Sequence, residues 1–226
     1  MKITRRTMLK MSAATGMMAA AKARAQQPPA IARKKASICF RIGAPIWQNE
    51  ARFNELLALL DKNAAVTDEI TLFTSETHPP LPLDVVLERM PIMQARMESA
   101  RARGYRSGIN LLATLGHHEE NLPNSLSGEF APMTDINGGV CRGSFCPNGE
   151  PMRGYIASVY EASAGAKPDY IWIDDDVRLF GHMPIGAGCF CDTCVRKFSK
   201  SSGKEYTRDS LRAAFDAEPL ADQLAL

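Results

Sequence analysis

The sequence predicts an α/β fold of the (β/α)8 TIM-barrel type, with only the first four βα units accounted for. Three observations predict it. Short apolar runs alternate with helix-patterned stretches of about 10–20 residues, which calls for a parallel sheet. The connections are long on one side only, after each strand, as where βα loops build an active face. A doubly wound sheet is the competing fold. Its nucleotide-binding form loses support, because no G-x-G-x-x-G follows the first strand and Arg41-Ile42-Gly43-Ala44-Pro45 is no phosphate cradle.

The elements follow in order. Residues 35–42, Lys-Ala-Ser-Ile-Cys-Phe-Arg-Ile, read as a first strand. Leu56, Leu57, Leu59 and Leu60 form the core of a first helix that begins near Gln48. Residues 69–73 make a second strand, followed by a polar, proline-rich loop over 74–82. A long helix spans 83–103, with Val86, Met90, Met93 and Met97 close to helical spacing. Pro91 is expected to kink it and Gly104 to stop it. The three methionines read as core packing. A third strand covers 107–114, and a long glycine-rich stretch runs over 115–149. Pro151 opens a third helix over 151–165. The fourth strand, 169–173, carries Trp172, expected in the core, and ends in Asp174-Asp175-Asp176. Helices over 193–201 and 207–218 follow a cysteine-rich loop.

With 226 residues, 45% hydrophobic and 23% charged, the chain is neither disordered nor a disulfide-stapled peptide. Its formal charge of +2 is misleading. Six of the 27 Lys and Arg residues lie in residues 1–25, which hold no acid; the other 21 face 25 acids, a net of −4. A mildly acidic body without a basic stripe argues against nucleic acid as a partner. Beyond the N-terminus no apolar run reaches the ~18 residues of a membrane span.

Thr4-Arg5-Arg6-Thr7-Met8-Leu9-Lys10 precedes a weakly hydrophobic stretch over 11–21 and Ala23-Arg24-Ala25. That is a charged region, a short apolar region and a small-x-small cleavage site. It resembles a twin-arginine export signal, with Thr4 where Ser is common and Met8 where Phe is common. A random basic start and an uncleaved anchor are the competing readings. The expected division is a signal peptide over 1–25, an extended linker over 26–34 and the folded segment over 35–226. The implied partner is the twin-arginine machinery, and the implied location is periplasmic or secreted, with no stable membrane span after cleavage.

Two clusters carry chemistry. Cys189-Phe190-Cys191-Asp192-Thr193-Cys194 is a C-x-C-x-x-C. Three thiolates so close in sequence can wrap a soft cation such as zinc, with a fourth ligand from elsewhere, Cys146 or Cys141. Disulfide pairing of the six cysteines is the alternative. Cys39, among apolar neighbours, reads as a buried structural thiol. The second cluster is Asp174-Asp175-Asp176 with Arg178. Crowding three carboxylates at the end of an apolar strand raises at least one pKa, as a general acid requires. Arg178 can lower another by pairing with it. A merely polar loop or a site for a hard cation are the other readings.

Together these clusters resemble the catalytic domain of glycoside hydrolase family 42 β-galactosidases and their relatives. In that family a fourth strand bearing a Trp ends in an Asp-Asn-Glu run or similar, and a C-x-C-x-x-C follows. The resemblance covers about residues 35–200. It implies a structural zinc held by Cys189, Cys191 and Cys194. The segment Phe145-Cys146-Pro147-Asn148 is similar to the one that supplies the family's fourth thiolate, so the resemblance nominates Cys146. It also implies a carbohydrate substrate and places Asp176 at the family's acid/base Glu and Asp175 at its Asn. Asp is shorter by one methylene, and about 1.5 Å of misplacement can cost ~10²-fold in rate. The family's nucleophile is a Glu on a seventh strand, and a whole barrel needs ~250 residues. The sequence therefore reads as a fragment of a longer protein, as a chain that assembles in two copies as a homo-oligomer, or as a relative that does not hydrolyse glycosides.

Loop residues after the strands complete the candidate site. Trp47, Glu76, His117 and Arg178 are expected to line a sugar site. A second metal site at His117, His118 and Glu119 is disfavoured, since adjacent residues rarely point the same way. A non-catalytic carbohydrate-binding protein and a metal-dependent hydrolase using Asp174 and Asp176 are the competing functions.

Overall fold

The computed structural model describes residues 36–116, 118–126 and 130–217. The signal peptide over 1–25, the linker over 26–34, His117 and the end of the chain beyond Ala217 lie outside the described residues. Among the described residues no helix is long and apolar enough to cross a membrane.

In chain order the elements are β1 (Cys39–Ile42), α1 (Ala44–Trp47), α2 (Glu50–Lys62), β2 (Glu69–Phe73), α3 (Leu83–Arg101), β3 (Arg106–Leu111), β4 (Pro132–Thr134), β5 (Val140–Phe145), α4 (Glu150–Gly165), β6 (Ile171–Ile173), β7 (Phe180–His182), β8 (Ile185–Ala187), α5 (Asp192–Ser202) and α6 (Arg208–Ala217). Short 3₁₀ turns lie at Ala64–Val66, Leu122–Asn124 and Asp175–Val177.

The expected barrel is corrected here. The described residues form an open four-stranded parallel sheet in the order β1-β2-β3-β6, with no closed ring. After β3 the chain makes an antiparallel ribbon and a helix before it returns as β6, and after β6 the described residues add no further parallel strand. The two antiparallel ribbons are β4–β5 and β7–β8. Closing a ring takes about eight tilted strands, and the twist of four cannot bring the two edges together. The alternation of elements is thus real, but it builds a sheet with two edges.

The helices cover one face of that sheet. Alternation along β2 and β3 sends Ile70, Leu72, Ile109 and Leu111 to that face. They meet Phe53 and Leu57 of α2, Met90, Met93 and Met97 of α3, and Met152 and Val159 of α4 in one core. The methionine period of α3 therefore does pack the core. α3 runs unbroken through Pro91, and Gly104 follows it at φ +91°, a conformation that favours glycine. Asn49 caps α2 by accepting a hydrogen bond from the Arg52 amide at 3.1 Å.

The opposite face is polar and aromatic. Thr71 and Asn110 are buried on it, and Tyr170 lies flat across Gly108, where a Cβ would run into the phenol ring. Its hydroxyl accepts from Thr71 Oγ1 at 2.9 Å and donates to the Ile70 carbonyl at 3.2 Å. Cys39 is half-buried, with its sulfur 3.3 Å from the same hydroxyl. Trp172, expected in the core, is 41% exposed on this face. The helices pack on the other face, and on this one the Arg41 guanidinium sits 5.1 Å from the Trp172 ring centroid and leaves the ring partly exposed.

Candidate functional site

The thiol cluster assembles from two places in the chain. Cys146 follows β5, where the Cys146 amide donates to the Ala131 carbonyl at 2.8 Å and so ties this end of the ribbon. Cys189, Cys191 and Cys194 lead into α5, with Cys191 as its N-cap residue. The Phe190 amide donates to the Thr134 carbonyl at 2.7 Å, which holds the cysteine loop against β4. The sulfurs of Cys146, Cys189, Cys191 and Cys194 all lie within 4.8 Å of one another. A tetrahedral ion with ~2.3 Å bonds to sulfur needs sulfurs about 3.8 Å apart, so the four can hold a metal ion. All six cysteines are free thiols, so the disulfide alternative finds no bond here. Thiols this close share protons. Hydrogen bonding from Cys146 lowers Cys191 and brings Cys189 down to about 7, while its neighbours hold Cys146 up. The Asn148 amide nitrogen donates to Cys194 Sγ at 3.3 Å.

Cys141 is not part of the cluster. It is fully buried in a second small core with Met133 and Ile185 beneath the two ribbons, and burial raises its pKa. Of the two candidates, Cys146, just past the end of β5, joins the other three sulfurs, and Cys141, within the strand, does not.

A cleft of about 410 Å³ opens at the C-terminal ends of the parallel strands. It is lined by Arg41 of β1 and Pro45 after it, Phe73, Glu76 and His78 at and after β2, and Asp174 and Asp175 after β6. Ligands of α/β sheets settle at this end, and the volume suits a small molecule. Asp174 is the hub. Arg41 reaches across the sheet to pair with it and donates from Nε to Asn110 Oδ1 at 3.0 Å. Asn110 donates in turn to Asp174 Oδ2 at 3.2 Å. Burial pushes the Asp174 carboxyl up, but the Asp175 amide, Asn110 and Arg41 outweigh it and hold the pKa below the ordinary value. The Arg41 guanidinium also sits 4.4 Å from the Phe73 ring centroid and 5.1 Å from that of Trp172.

The other expected site residues divide. Glu76 lines the cleft and is clasped by both Arg89 nitrogens at 2.7 and 3.0 Å, and that hydrogen bonding lowers its pKa. Asp175 lines the cleft and pairs with Arg178 at 3.0 Å; the sequence leaves open which aspartate Arg178 meets. Trp47 does not line a site: it is fully buried, and its indole N–H donates to the Phe73 carbonyl at 2.9 Å. Pro45 opens α1 immediately after β1, and this short helix tucks the indole into the core. Asp176 is also fully buried. Burial, then the charges of Asp174 and Asp175, push it up to about 8. His117 lies outside the described residues. Glu119 is taken by Arg142 at 2.8 Å, and among the described residues only the cysteine group qualifies as a metal site. Arg41 and Asn110 were not singled out from the sequence.

No family model matches the chain, and no curated protein matches it either.

Proposed function

We propose that this chain is a relative of family 42 glycoside hydrolases that binds a neutral carbohydrate in the cleft at the ends of β1, β2, β3 and β6. One observation carries the reading. Each cleft carboxylate has its own cation: Glu76 has Arg89, Asp174 has Arg41 and Asp175 has Arg178. The cleft is therefore dense in hydrogen-bond donors and acceptors while its charges cancel. That suits a ligand with many hydroxyls and no charge, because a charged ligand would find no unmatched partner to repay its desolvation. Asp174, kept ionised and aimed by Arg41 and Asn110, is the acceptor for sugar hydroxyls. Calorimetric titration with neutral methyl glycosides and with a methyl glucuronide tests this. Binding of a neutral glycoside, lost in Asp174→Asn, is the expected result. Preference for the charged sugar would overturn it.

The four-thiolate set is read as a structural zinc site, since soft sulfur donors in a tetrahedral array suit zinc. Bound there, zinc supplies a cross-link between the β4–β5 ribbon and α5. About one zinc per chain by elemental analysis is expected; iron in its place would replace this assignment. Residues 1–25 support export by the twin-arginine route to the periplasm or beyond.

Hydrolysis is a second reading, favoured by the burial and the neighbouring aspartates that push Asp176 up to about 8, the direction a proton donor requires. That complete burial counts against direct contact with a ligand. Turnover of aryl glycosides that vanishes in Asp176→Asn, with binding retained, would favour this reading over binding alone.

A further inference from the structure

The open face of the sheet offers a second element for the same ligand. We propose that the exposed indole of Trp172 is the stacking surface for the apolar face of a neutral pyranoside whose hydroxyls reach Asp174. The inference rests on the carbohydrate reading above and specifies the class of sugar: one with a flat face of C–H groups.

Four observations support it. The chain has two tryptophans, and they differ sharply: Trp47 is fully buried, whereas Trp172 is 41% exposed. Trp172 and Asp174 are two residues apart at the end of β6, so both point to the open face. Two residues of strand span about 6.5 Å, close to the breadth of one pyranose ring. A sugar lying on the indole thus brings its edge hydroxyls to the carboxylate.

The platform is also held in place. Trp172 is the register partner of Asn110, the residue that positions Asp174. The Arg41 guanidinium lies between Phe73 and Trp172 and bonds to both Asn110 and Asp174. The same arginine therefore aligns the stacking ring and the hydrogen-bonding carboxylate. An aromatic ring beside a fixed carboxylate fits an amphipathic sugar: C–H faces pack on the ring while hydroxyls bond at the edge.

The test uses the full chain, labelled with ¹⁵N. Each tryptophan gives one indole N–H resonance. Methyl β-D-glucopyranoside and methyl β-D-galactopyranoside are titrated in. The Trp172 resonance is expected to shift on saturation while that of Trp47 stays in place. Trp172→Ala is expected to weaken binding about tenfold, with Trp172→Phe restoring most of it. An unmoved Trp47 resonance in each variant verifies the fold. Sugar binding of unchanged strength in Trp172→Ala, or a wild-type Trp172 signal indifferent to bound sugar, overturns the proposal while leaving the carbohydrate reading intact. No binding of either glycoside to the wild-type chain at millimolar concentration overturns both.

Discussion

Burying Asp176 at the end of β6 makes stability depend on pH. Its folded pKa of about 8 lies above the unfolded value of ~3.9. Between those two values the folded state binds more protons. Stability therefore falls as pH rises from about 4 to about 8, then levels off. Asp176→Asn keeps the shape and removes the titration. Urea unfolding of the two proteins should agree near pH 4 and separate by pH 9, with the Asn variant more stable by up to about 5 kcal/mol. A wild type equally stable, relative to the variant, at both pH values would show that Asp176 does not titrate in this range. Asp174 has the opposite sign. Its lowered pKa means that its ion pair with Arg41 contributes above the ordinary carboxylate range and is lost as pH falls through the folded value. The proposed sugar binding should weaken in acid for the same reason, as titration calorimetry across that range would show. At this scale the sequence was partly legible. Three adjacent aspartates announced a perturbed acid, and Asp176 is raised first by its burial and then by the charges of Asp174 and Asp175. Which of the three faced the cleft depended on the 3₁₀ turn at Asp175–Val177, which turns Asp176 inward. Arg41 and Asn110 were invisible because they meet Asp174 only when β1, β3 and β6 lie side by side.

Whole elements were more legible than their surroundings. The apolar run of β2 and the spacing of Val86, Met90, Met93 and Met97 in α3 marked these elements, and the structure forms them within two residues of expectation. The ribbons β4–β5 and β7–β8 were missed because their strands of three to six residues lie in glycine-rich sequence with little periodicity. The cysteine cluster was legible because three of its four members are local in sequence, and the Cys-Pro-Asn segment pointed to the fourth. One contact between elements makes a direct test. Tyr170, just before β6, rests on Gly108 of β3. Gly108→Ala should destabilise the protein by about 1–3 kcal/mol through overpacking. Adding Tyr170→Ala should cost less than the sum of the two single changes, because the clash disappears with the ring. Additive losses in chemical denaturation would show that the glycine matters for another reason.

At the level of the molecule, the parallel sheet with helices on one face carries the β4–β5 ribbon, inserted between β3 and α4, and the segment after β6, which meet around four thiols. The alternating pattern correctly called for parallel strands, yet alternation alone does not count strands, and so it could not distinguish a closed ring from an open sheet. The sheet and the segments that meet at the thiols should respond differently to metal removal. With a strong chelator, hydrogen exchange is expected to rise in β4, β5 and α5, while β2 and β3 stay protected. Uniform loosening would mean that the metal supports the sheet as well. The position of Cys146 has one more consequence, for the order in which the protein is made. In the sheet spatial order and chain order coincide, so each strand's partner on one side has already been made when it leaves the ribosome. Cys146 must wait for Cys194, whose sulfur is 3.4 Å away in the finished fold but 48 residues later in synthesis. A metal held by these four thiols would therefore be a clasp that cannot close until Cys194 has been made, after every strand of the sheet.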